Sequence, residues 1–367
     1  MAERCAIVGG GLAGLVGYAA LRHCGVPAHD IAVFGVEADP AGPLRRRSAA
    51  IRQRHMRSES DGHCHPASFP GLAVRSARAQ RSLLPVLRSV CNRYRPTVNE
   101  FFAHVDELRG TSGWDGSFRR LRVERITATN DGFTLDRLGT YHHVLVAPGH
   151  PGLAVPAEYT GDARAVHSYE PHDYAGRVAV VGAGMAAAME WLNALDAGAS
   201  VVSVRRREPA RRPLSVPRSM FSRRGLAGYH ATAATDRVRL LERLAEPSYP
   251  RGAEWDAPLA AAARTGRFRV GRHPDGAEQV ICATGFVRGF SHHRLLRRLV
   301  DDHDVETAGG WIVLAPDSTV PQLTGADRTL ALAGAPGQWA FPGADTVVGA
   351  KYVARRFARR VQQCRTA

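Results

Sequence analysis

The sequence has 367 residues, which allows two domains because a single core stops growing at about 250–300 residues. Its apolar fraction of 44% excludes a disordered or collagen-like chain. The net charge of +15 comes almost entirely from arginine, since Lys351 is the single lysine among 49 basic residues. The sequence contains no basic stripe with interleaved aromatic residues, so we expect no nucleic-acid partner.

Cysteine use and hydropathy predict a cytoplasmic protein. The six cysteines form no C-x-x-C pair and are too sparse for a disulfide scaffold, which favours a reducing compartment. No stretch approaches the roughly 18 apolar residues of a membrane span, so we expect no membrane partner. The adjacent ligand types of His63-Cys64-His65 do not converge easily on one ion, and we expect no metal. The sequence leaves open whether the protein forms a homo-oligomer.

A first nucleotide-binding fingerprint lies at the start of the chain. Cys5–Val8 is typical of a buried parallel strand, and Gly9, Gly11 and Gly14 then form G-x-G-x-x-G before a helical pattern that starts at Leu15. The first glycine allows the tight turn, the second allows close approach to a pyrophosphate, and the third allows close helix packing. Dinucleotide binding at the helix N-terminus is therefore predicted.

The acidic residue that should bind the ribose is displaced in this sequence. Ile31–Phe34 is the predicted second strand, and Gly35 stands where a carboxylate usually follows such a strand. The nearest acids are Glu37 and Asp39. We predict that Glu37 binds the ribose.

A second fingerprint of the same kind follows the strand Val178–Val181. Gly182 and Gly184 occupy the first two glycine positions, and Ala187 replaces the third glycine. A helix and another strand, Val201–Val204, come next. The same strand-turn-helix unit thus occurs twice in the sequence.

Arginines end this second unit where an NAD site would place a carboxylate. Arg205, Arg206 and Arg207 follow the strand directly. Guanidinium groups suit a 2′-phosphate through bidentate charge-assisted hydrogen bonds, so Arg205 and Arg206 predict NADPH rather than NADH. A solvated loop is the alternative reading of the three arginines.

The two fingerprints are too far apart to be halves of one sheet, which indicates a second nucleotide domain inserted into the first. We predict an α/β fold with two Rossmann-like dinucleotide-binding domains in a glutathione-reductase-like arrangement. Residues 1–170 and 286–367 would form one discontinuous dinucleotide-binding domain, and residues 171–285 the domain inserted into it.

With these units in view, the chain resembles the two-dinucleotide flavoproteins of the class B flavin monooxygenases, which include flavin-containing, N-hydroxylating and Baeyer–Villiger monooxygenases. Ala283-Thr284-Gly285-Phe286 is similar to the A-T-G-F/Y segment where such chains cross back to the FAD domain, and Val146–His150 is similar to the earlier crossing. The resemblance implies FAD at the first fingerprint, NADPH at the second, and Gly285 beside the cofactors.

The segment before the second fingerprint also resembles a family signature. Tyr159-Thr160-Gly161 followed by His167 is similar to F-x-G-x-x-x-H, with five residues between Gly161 and His167 where the signature has three. A histidine in a linker is more often a structural hydrogen-bonding group than a catalyst.

A polar segment and an aromatic helix complete the first half of the resemblance. Arg57, Ser58 and Glu59 correspond to a segment that touches the flavin edge in flavin-containing monooxygenases, and they are the candidate catalytic residues. A polar surface loop is the alternative. Thr97 and Glu100 predict a capping box at the start of the helix that follows.

The second half of the resemblance lies near residue 340. Leu330–Gly334 is the predicted last strand of the FAD sheet, and Asp345 is the predicted N-cap of a helix that runs to Arg360. The resemblance implies that this helix points its N-terminus at the flavin. Gly334 and the backbone amides around Asp345 and Thr346 would then bind the cofactor.

The resemblance implies an FAD- and NADPH-dependent monooxygenase. NADPH would reduce FAD, and a C4a-(hydro)peroxyflavin formed with O2 would oxygenate a small-molecule substrate at nitrogen, sulfur or a carbonyl. Two alternatives stay open: an NADPH-dependent flavoprotein reductase or dehydrogenase without oxygen insertion, and a non-catalytic dinucleotide sensor. The absence of C-x-x-C argues against a dithiol relay.

Overall fold

The computed structural model describes residues 4–57, 72–90, 94–212 and 216–366. In these ranges the strands are β1 (Cys5–Val8), β2 (Ile31–Gly35), β3 (Phe118–Arg120), β4 (Ile126–Thr129), β5 (Gly132–Leu135), β6 (Thr140–Tyr141), β7 (His143–Val146), β8 (Ala165–His167), β9 (Arg177–Val181), β10 (Ser200–Val204), β11 (Ala210–Arg211), β12 (Ser248–Tyr249), β13 (Phe268–Gly271), β14 (Gln279–Cys282), β15 (Thr307–Ala308), β16 (Trp311–Ile312) and β17 (Thr329–Leu332). The helices are α1 (Leu12–His23), α2 (Gly42–Ala50), α3 (Leu72–Gln80), α4 (Leu84–Val90), α5 (Val98–Ser112), α6 (Trp114–Ser117), α7 (Met185–Asp196), α8 (Arg223–Ala231), α9 (Ala234–Leu244), α10 (Ala253–Arg264), α11 (Arg294–His303) and α12 (Val347–Thr366).

The first sheet is parallel, with the strand order β17-β7-β1-β2-β3 in the described chain. Alternate residues of β1 point to opposite faces. Cys5 and Ile7 pack in the core that contains residues of α1, α5 and α12, whereas Ala6 and Val8 pack in the core that contains residues of β4–β6. Because both faces are covered, β1 is a continuous apolar run, as expected for a buried parallel strand.

The second sheet is also parallel, with the order β13-β10-β9-β14-β8 in the described chain. Trp191 of α7 and Trp255 of α10 pack in its core. The chain enters this sheet after β7 and returns to the first sheet at β17. Strand β8 precedes residue 171, where the sequence analysis begins the second domain, and that boundary stays a prediction.

These two sheets confirm the predicted α/β fold with two Rossmann-like units. The predicted capping box is also present at the start of α5. The amide of Glu100 donates to Thr97 Oγ1 at 3.1 Å, and the amide of Thr97 donates to Glu100 Oε2 at 2.8 Å. Helix α12 packs along α1, where Ala350 and Ala354 contact Val16.

Helices α8 and α9 lie between strands of the second sheet in sequence but pack against the first domain. Tyr229 Oη donates to the carbonyl of Gln338 at 3.1 Å, and His230 Nε2 donates to the carbonyl of Ala340 at 2.7 Å. The guanidinium of Arg237 lies 4.8 Å from the ring centre of Trp339. The two helices therefore support the segment between β17 and α12.

None of the helices in the described ranges combines the length and the apolar character that crossing a membrane requires.

Candidate active site

The first fingerprint forms an open cradle at the N-terminus of α1. Gly9 has φ of 125°, and a Cβ atom added there would collide with the carbonyl oxygen of Ala147. A Cβ on Gly14 would collide with the carbonyl oxygen of Gly9, whereas one on Gly11 would meet no atom within 4 Å. Among the described residues, no side chain caps α1. Gly9, Gly11, Gly14 and the first turn of α1 are called the first cradle below; its free amides and open space fit a pyrophosphate.

The second fingerprint repeats this geometry at the N-terminus of α7. Gly182 has φ of 126°, and a Cβ there would collide with the carbonyl oxygen of Ala283. A Cβ on Gly184 would meet no atom within 4 Å, and within the described chain no side chain caps α7. Ala187 is fully buried in the core under α7, which accommodates its methyl group. Gly182, Gly184, Ala187 and the first turn of α7 are called the second cradle.

The structure gives a physical reason for Gly35. A Cβ atom there would lie 2.8 Å from the backbone nitrogen of Gly10, so only glycine lets the end of β2 pack against the first cradle. Glu37 follows two residues later. Both of its carboxylate oxygens accept hydrogen bonds from Arg46, at 2.7 Å each.

The arginines at the end of β10 differ in exposure. The Arg205 side chain is 11% exposed, donates to Glu208 Oε1 at 2.8 Å, and lies 5.6 Å from the ring centre of Trp191. The Arg206 side chain is 92% exposed and lies 3.7 Å from Glu158 Oε1. Arg206 is therefore the more accessible of the two for a charged ligand, and Arg205 is held by protein contacts.

The two crossings between the domains are joined by stacked rings. Phe286 stacks on His150 with ring centres 4.2 Å apart, and on Tyr169 with ring centres 5.3 Å apart. The Arg47 guanidinium lies 4.6 Å from the Phe286 ring centre. His167 Nε2 donates to the carbonyl of Gly285 at 3.0 Å, which is the structural role that its sequence context favoured.

A pocket of about 570 Å³, counting its open mouth, lies beyond the carboxyl ends of β7, β14 and β17. In parallel α/β sheets this edge is where ligands bind. Burial lowers the pKa of His150 to about 4, assisted by Arg47 and Arg288, and burial also lowers the pKa of His293. Both histidines are therefore neutral at pH 7. The polar and aromatic side chains that line the pocket include those of His150, Arg288, Phe290, Trp311, Gln338 and Asp345.

Helix α12 starts beside this pocket. The amide of Gly349 donates to Thr346 Oγ1 at 3.1 Å, so Thr346 caps the helix and the predicted N-cap role of Asp345 is wrong. Asp345 lines the pocket instead and is exposed to solvent there. A Cβ on Gly334 would lie 3.7 Å from Ala13, which places the end of β17 beside the first cradle.

Of the three predicted catalytic residues, the described chain includes only Arg57. Its guanidinium reaches the second domain, where it donates to Ser248 Oγ at 2.9 Å and to the carbonyl of Arg212 at 3.2 Å. Burial lowers its pKa to about 10. Ser58 and Glu59 lie outside the described residues, and the catalytic role of all three stays a prediction.

The sequence analysis did not identify a buried polar cluster that α7 forms with the segment before β9. Glu190 of α7 is fully buried, and its Oε2 accepts from Tyr174 Oη at 2.7 Å and from His172 Nε2 at 3.0 Å. Burial favours a neutral His172 ring, but the hydrogen bond and charge of Glu190 raise the pKa of His172 overall. A glutamate within an otherwise apolar helix segment was the signal that could have revealed it. Arg52, from the first domain, lies 4.8 Å from the Tyr174 ring centre.

The charged side chains of the described ranges offer no metal site, because no group of three or more His, Cys, Asp or Glu residues converges there.

Comparisons with known proteins agree with this geometry. No protein-family model matches the sequence, and no curated protein matches it. Among solved structures, the ornithine N-hydroxylase of Kutzneria sp. 744, with reduced FAD, NADP+ and L-ornithine, has a TM-score of 0.73 at 16% identity over 100% of both chains. The reduced form of the ornithine hydroxylase of Pseudomonas aeruginosa has a TM-score of 0.71 at 15% identity over 99% of both chains. The bacillithiol disulfide reductase of Bacillus cereus has a TM-score of 0.60 at 14% identity over 99% of both chains.

At these identities the similarity shows the fold, which is that of flavoproteins with two dinucleotide-binding domains. More particularly, the N-hydroxylating class B flavin monooxygenases have this fold over their whole length, and the predicted fold is confirmed. The same fold also serves a disulfide reductase, so the reaction has to be argued from the site.

Proposed function

We propose that this protein is an FAD- and NADPH-dependent monooxygenase that acts on a small molecule. The observation that carries the proposal is the pair of open glycine cradles. Each lies after a parallel strand, at the N-terminus of a helix that none of the described side chains caps. Two dinucleotide sites in one chain suit hydride transfer between two nucleotide cofactors. The flavin monooxygenase fold supports this assignment over a non-catalytic sensor.

The first cradle would hold FAD in a domain formed by residues 1–170 and 286–367. The amides of the first turn of α1 would bind the pyrophosphate at Gly11, and Glu37 would accept from the ribose hydroxyls. The flavin end would lie towards Gly334 and the start of α12, near Asp345 and Thr346. The positive end of the α12 dipole would stabilise negative charge there.

The second cradle would hold NADPH in a domain of residues 171–285. The amides of α7 would bind its pyrophosphate at Gly184, and Ala187 would pack the helix onto the sheet. Arg206, with Arg205 beside it, would bind the 2′-phosphate, because an accessible guanidinium suits that group. Gly285 lies at the crossing between the two domains.

Bound FAD would supply hydride acceptance from NADPH and the activation of O2. The protein would bind, orient and shield the reactants. The pocket beside Gly334 is the candidate substrate site, because it lies at the carboxyl edge of the first sheet. Its neutral His150 and His293 offer hydrogen bonds without charge.

The first test is reduction of the FAD-loaded protein by NADPH without oxygen, followed by mixing with O2 and a panel of amines, sulfides and ketones. The proposal requires loss of the oxidised flavin absorbance with NADPH and an oxygenated product from at least one compound class. Flavin reduction that leads only to hydrogen peroxide, with every compound unchanged, would favour the reductase alternative. Failure of NADPH to reduce the flavin would overturn both.

Substitution of Arg206 tests the choice of nicotinamide cofactor. In Arg206→Ala we expect the KM for NADPH to rise about tenfold or more, because a charge-assisted bond to phosphate is lost, while the KM for NADH changes little. Arg239→Ala is the matched control, since Arg239 is also an exposed arginine paired with a carboxylate. Equal changes for NADPH and NADH would contradict the assignment.

A further inference from the structure

Glu37 and Arg46 form an ion pair beside the first cradle. Glu37 lies between β2 and α2, and its side chain folds back onto the first turn of α2. A Cβ atom added to Gly42, the first residue of α2, would collide with Glu37 Oε1. The absence of a side chain at this position therefore makes room for the carboxylate.

The pair has the geometry of a two-pronged clamp. Arg46 Nη1 donates to Glu37 Oε1 and Arg46 Nη2 donates to Glu37 Oε2, both at 2.7 Å. This hydrogen bond raises the pKa of Arg46. Parallel N–H···O bonds fix the plane of the carboxylate as well as its position, which a lysine ammonium cannot do.

The clamp leaves Glu37 able to bind a second group. An ionised carboxylate has about four acceptor positions, and the two bonds from Arg46 occupy two of them. The Glu37 side chain is 30% exposed, so its remaining positions are accessible. The backbone of the same residue borders the cradle, because a Cβ on Gly10 would lie 3.0 Å from the Glu37 carbonyl oxygen.

We propose that Arg46 is a positioning residue for the dinucleotide of the first cradle: its guanidinium holds the Glu37 carboxylate in the plane and place where the two free acceptor positions meet the hydroxyls of the adenosine ribose. This inference rests on the proposed function, which puts FAD in that cradle. Arg46 acts through Glu37 and is not among the residues that line the pocket beside Gly334.

Loss of Arg46 should weaken binding through the adenosine half of the ligand and not through the flavin half. Loss of Arg46 leaves Glu37 charged but free to rotate, so binding of any ligand that carries the adenosine ribose has to order the carboxylate again. A ligand without that ribose does not contact Glu37, so its affinity should not change. Because the pair is partly exposed, the effect is moderate, and we expect about a three- to tenfold rise in Kd.

The test is calorimetric titration of the apoprotein with FAD, ADP and FMN, for the parent chain and for Arg46→Met and Arg46→Lys. We expect Arg46→Met to raise the Kd for FAD and for ADP by the same factor and to leave the Kd for FMN unchanged. Arg46→Lys should give an intermediate Kd, because lysine restores the charge without the planar fork.

Arg125→Met is the matched control. Arg125 makes the same kind of two-pronged pair with Asp302, at 2.7 and 2.8 Å, and its side chain is 57% exposed compared with 65% for Arg46. Arg125 and its partner Asp302 belong to neither cradle, so the Kd for FAD should stay unchanged. Thermal unfolding of the apoproteins reports any general loss of folding.

The outcomes distinguish this inference from the proposed function. A parent chain that binds FAD with the predicted pattern in the variants supports both. FAD binding by the parent chain with no change in Arg46→Met, a tighter Kd, or equal loss for FAD and FMN overturns the role of Arg46 and leaves the proposed function standing. A parent chain that binds neither FAD nor ADP overturns both.

Discussion

Alanine in place of Gly184 separates ligand binding from folding in the second cradle. Gly184 has φ of −88° and ψ of −165°, an extended conformation that alanine adopts without strain. Its added methyl would meet no atom within 4 Å. In the unliganded protein Gly184→Ala should change the free energy of unfolding little. Alanine restricts the unfolded chain, which stabilises by about 0.4–1 kcal/mol, but it is a poorer N-cap residue than glycine, which offsets that gain.

The same methyl would stand where a pyrophosphate approaches the amides of α7. If it displaces the ligand from one amide, a hydrogen bond to a charged group worth about 1.5–3 kcal/mol is lost, which weakens binding about 10- to 100-fold. Calorimetric titration of the FAD-loaded protein with NADP+ measures this change. We expect a higher Kd at a nearly unchanged urea midpoint.

Gly182→Ala is the paired control, because the same methyl is added two residues earlier. Gly182 has φ of 126°, and its Cβ would collide with the carbonyl oxygen of Ala283. Here we expect a loss of about 2–4 kcal/mol of stability. The reasoning is refuted if Gly184→Ala binds NADP+ as the parent chain does, or if both variants lose stability to the same extent.

Two further predictions concern groups that join or support the domains. The pKa of His172 is raised in the folded state by Glu190. The stabilisation by the charged His172–Glu190 pair is therefore fully present below the unfolded pKa of about 6.5 and is lost as the pH rises through the folded pKa. In urea titrations, the difference in free energy of unfolding between the parent chain and His172→Gln should therefore shrink from about pH 6.5 upward. A difference that stays constant or grows would contradict a pKa of His172 raised by Glu190. Arg57→Met should lower the free energy of unfolding by about 1.5–3 kcal/mol, because the bonds to Ser248 Oγ and to a backbone carbonyl are lost. Urea unfolding checks this, and a change within about 0.5 kcal/mol would show that the bridge does not stabilise the domain interface.

The parts of the fold that local sequence determines were predictable. The turns at Gly9 and Gly182 require positive φ and close backbone approach, so glycine, strand and helix occur together in the sequence. The capping box of Thr97 and Glu100 is equally local, since both partners lie within one helical turn. Fingerprints of this kind place a nucleotide site without knowledge of the tertiary structure.

The parts that depend on distant contacts were not predictable. Helical periodicity identifies α8 and α9 but not the surface they cover, and Tyr229 binds a carbonyl in the other domain. The catalytic role predicted for Arg57 stays a prediction, and no sequence pattern indicated its contacts with Ser248 and Arg212 across the domain interface. Asp345 and Thr346 are both good N-cap residues, and only the backbone path selects Thr346.

The discontinuity of the first domain has a consequence for folding during synthesis. The second sheet is built from one uninterrupted stretch of chain, so it can close as soon as β14 has left the ribosome. The first sheet must wait, since β7 lacks its neighbour β17 and α1 lacks α12 until the whole second domain has been translated. The nucleotide unit encoded first is therefore completed last. During that interval its apolar strands and an unpaired sheet edge are open to chaperones or to aggregation.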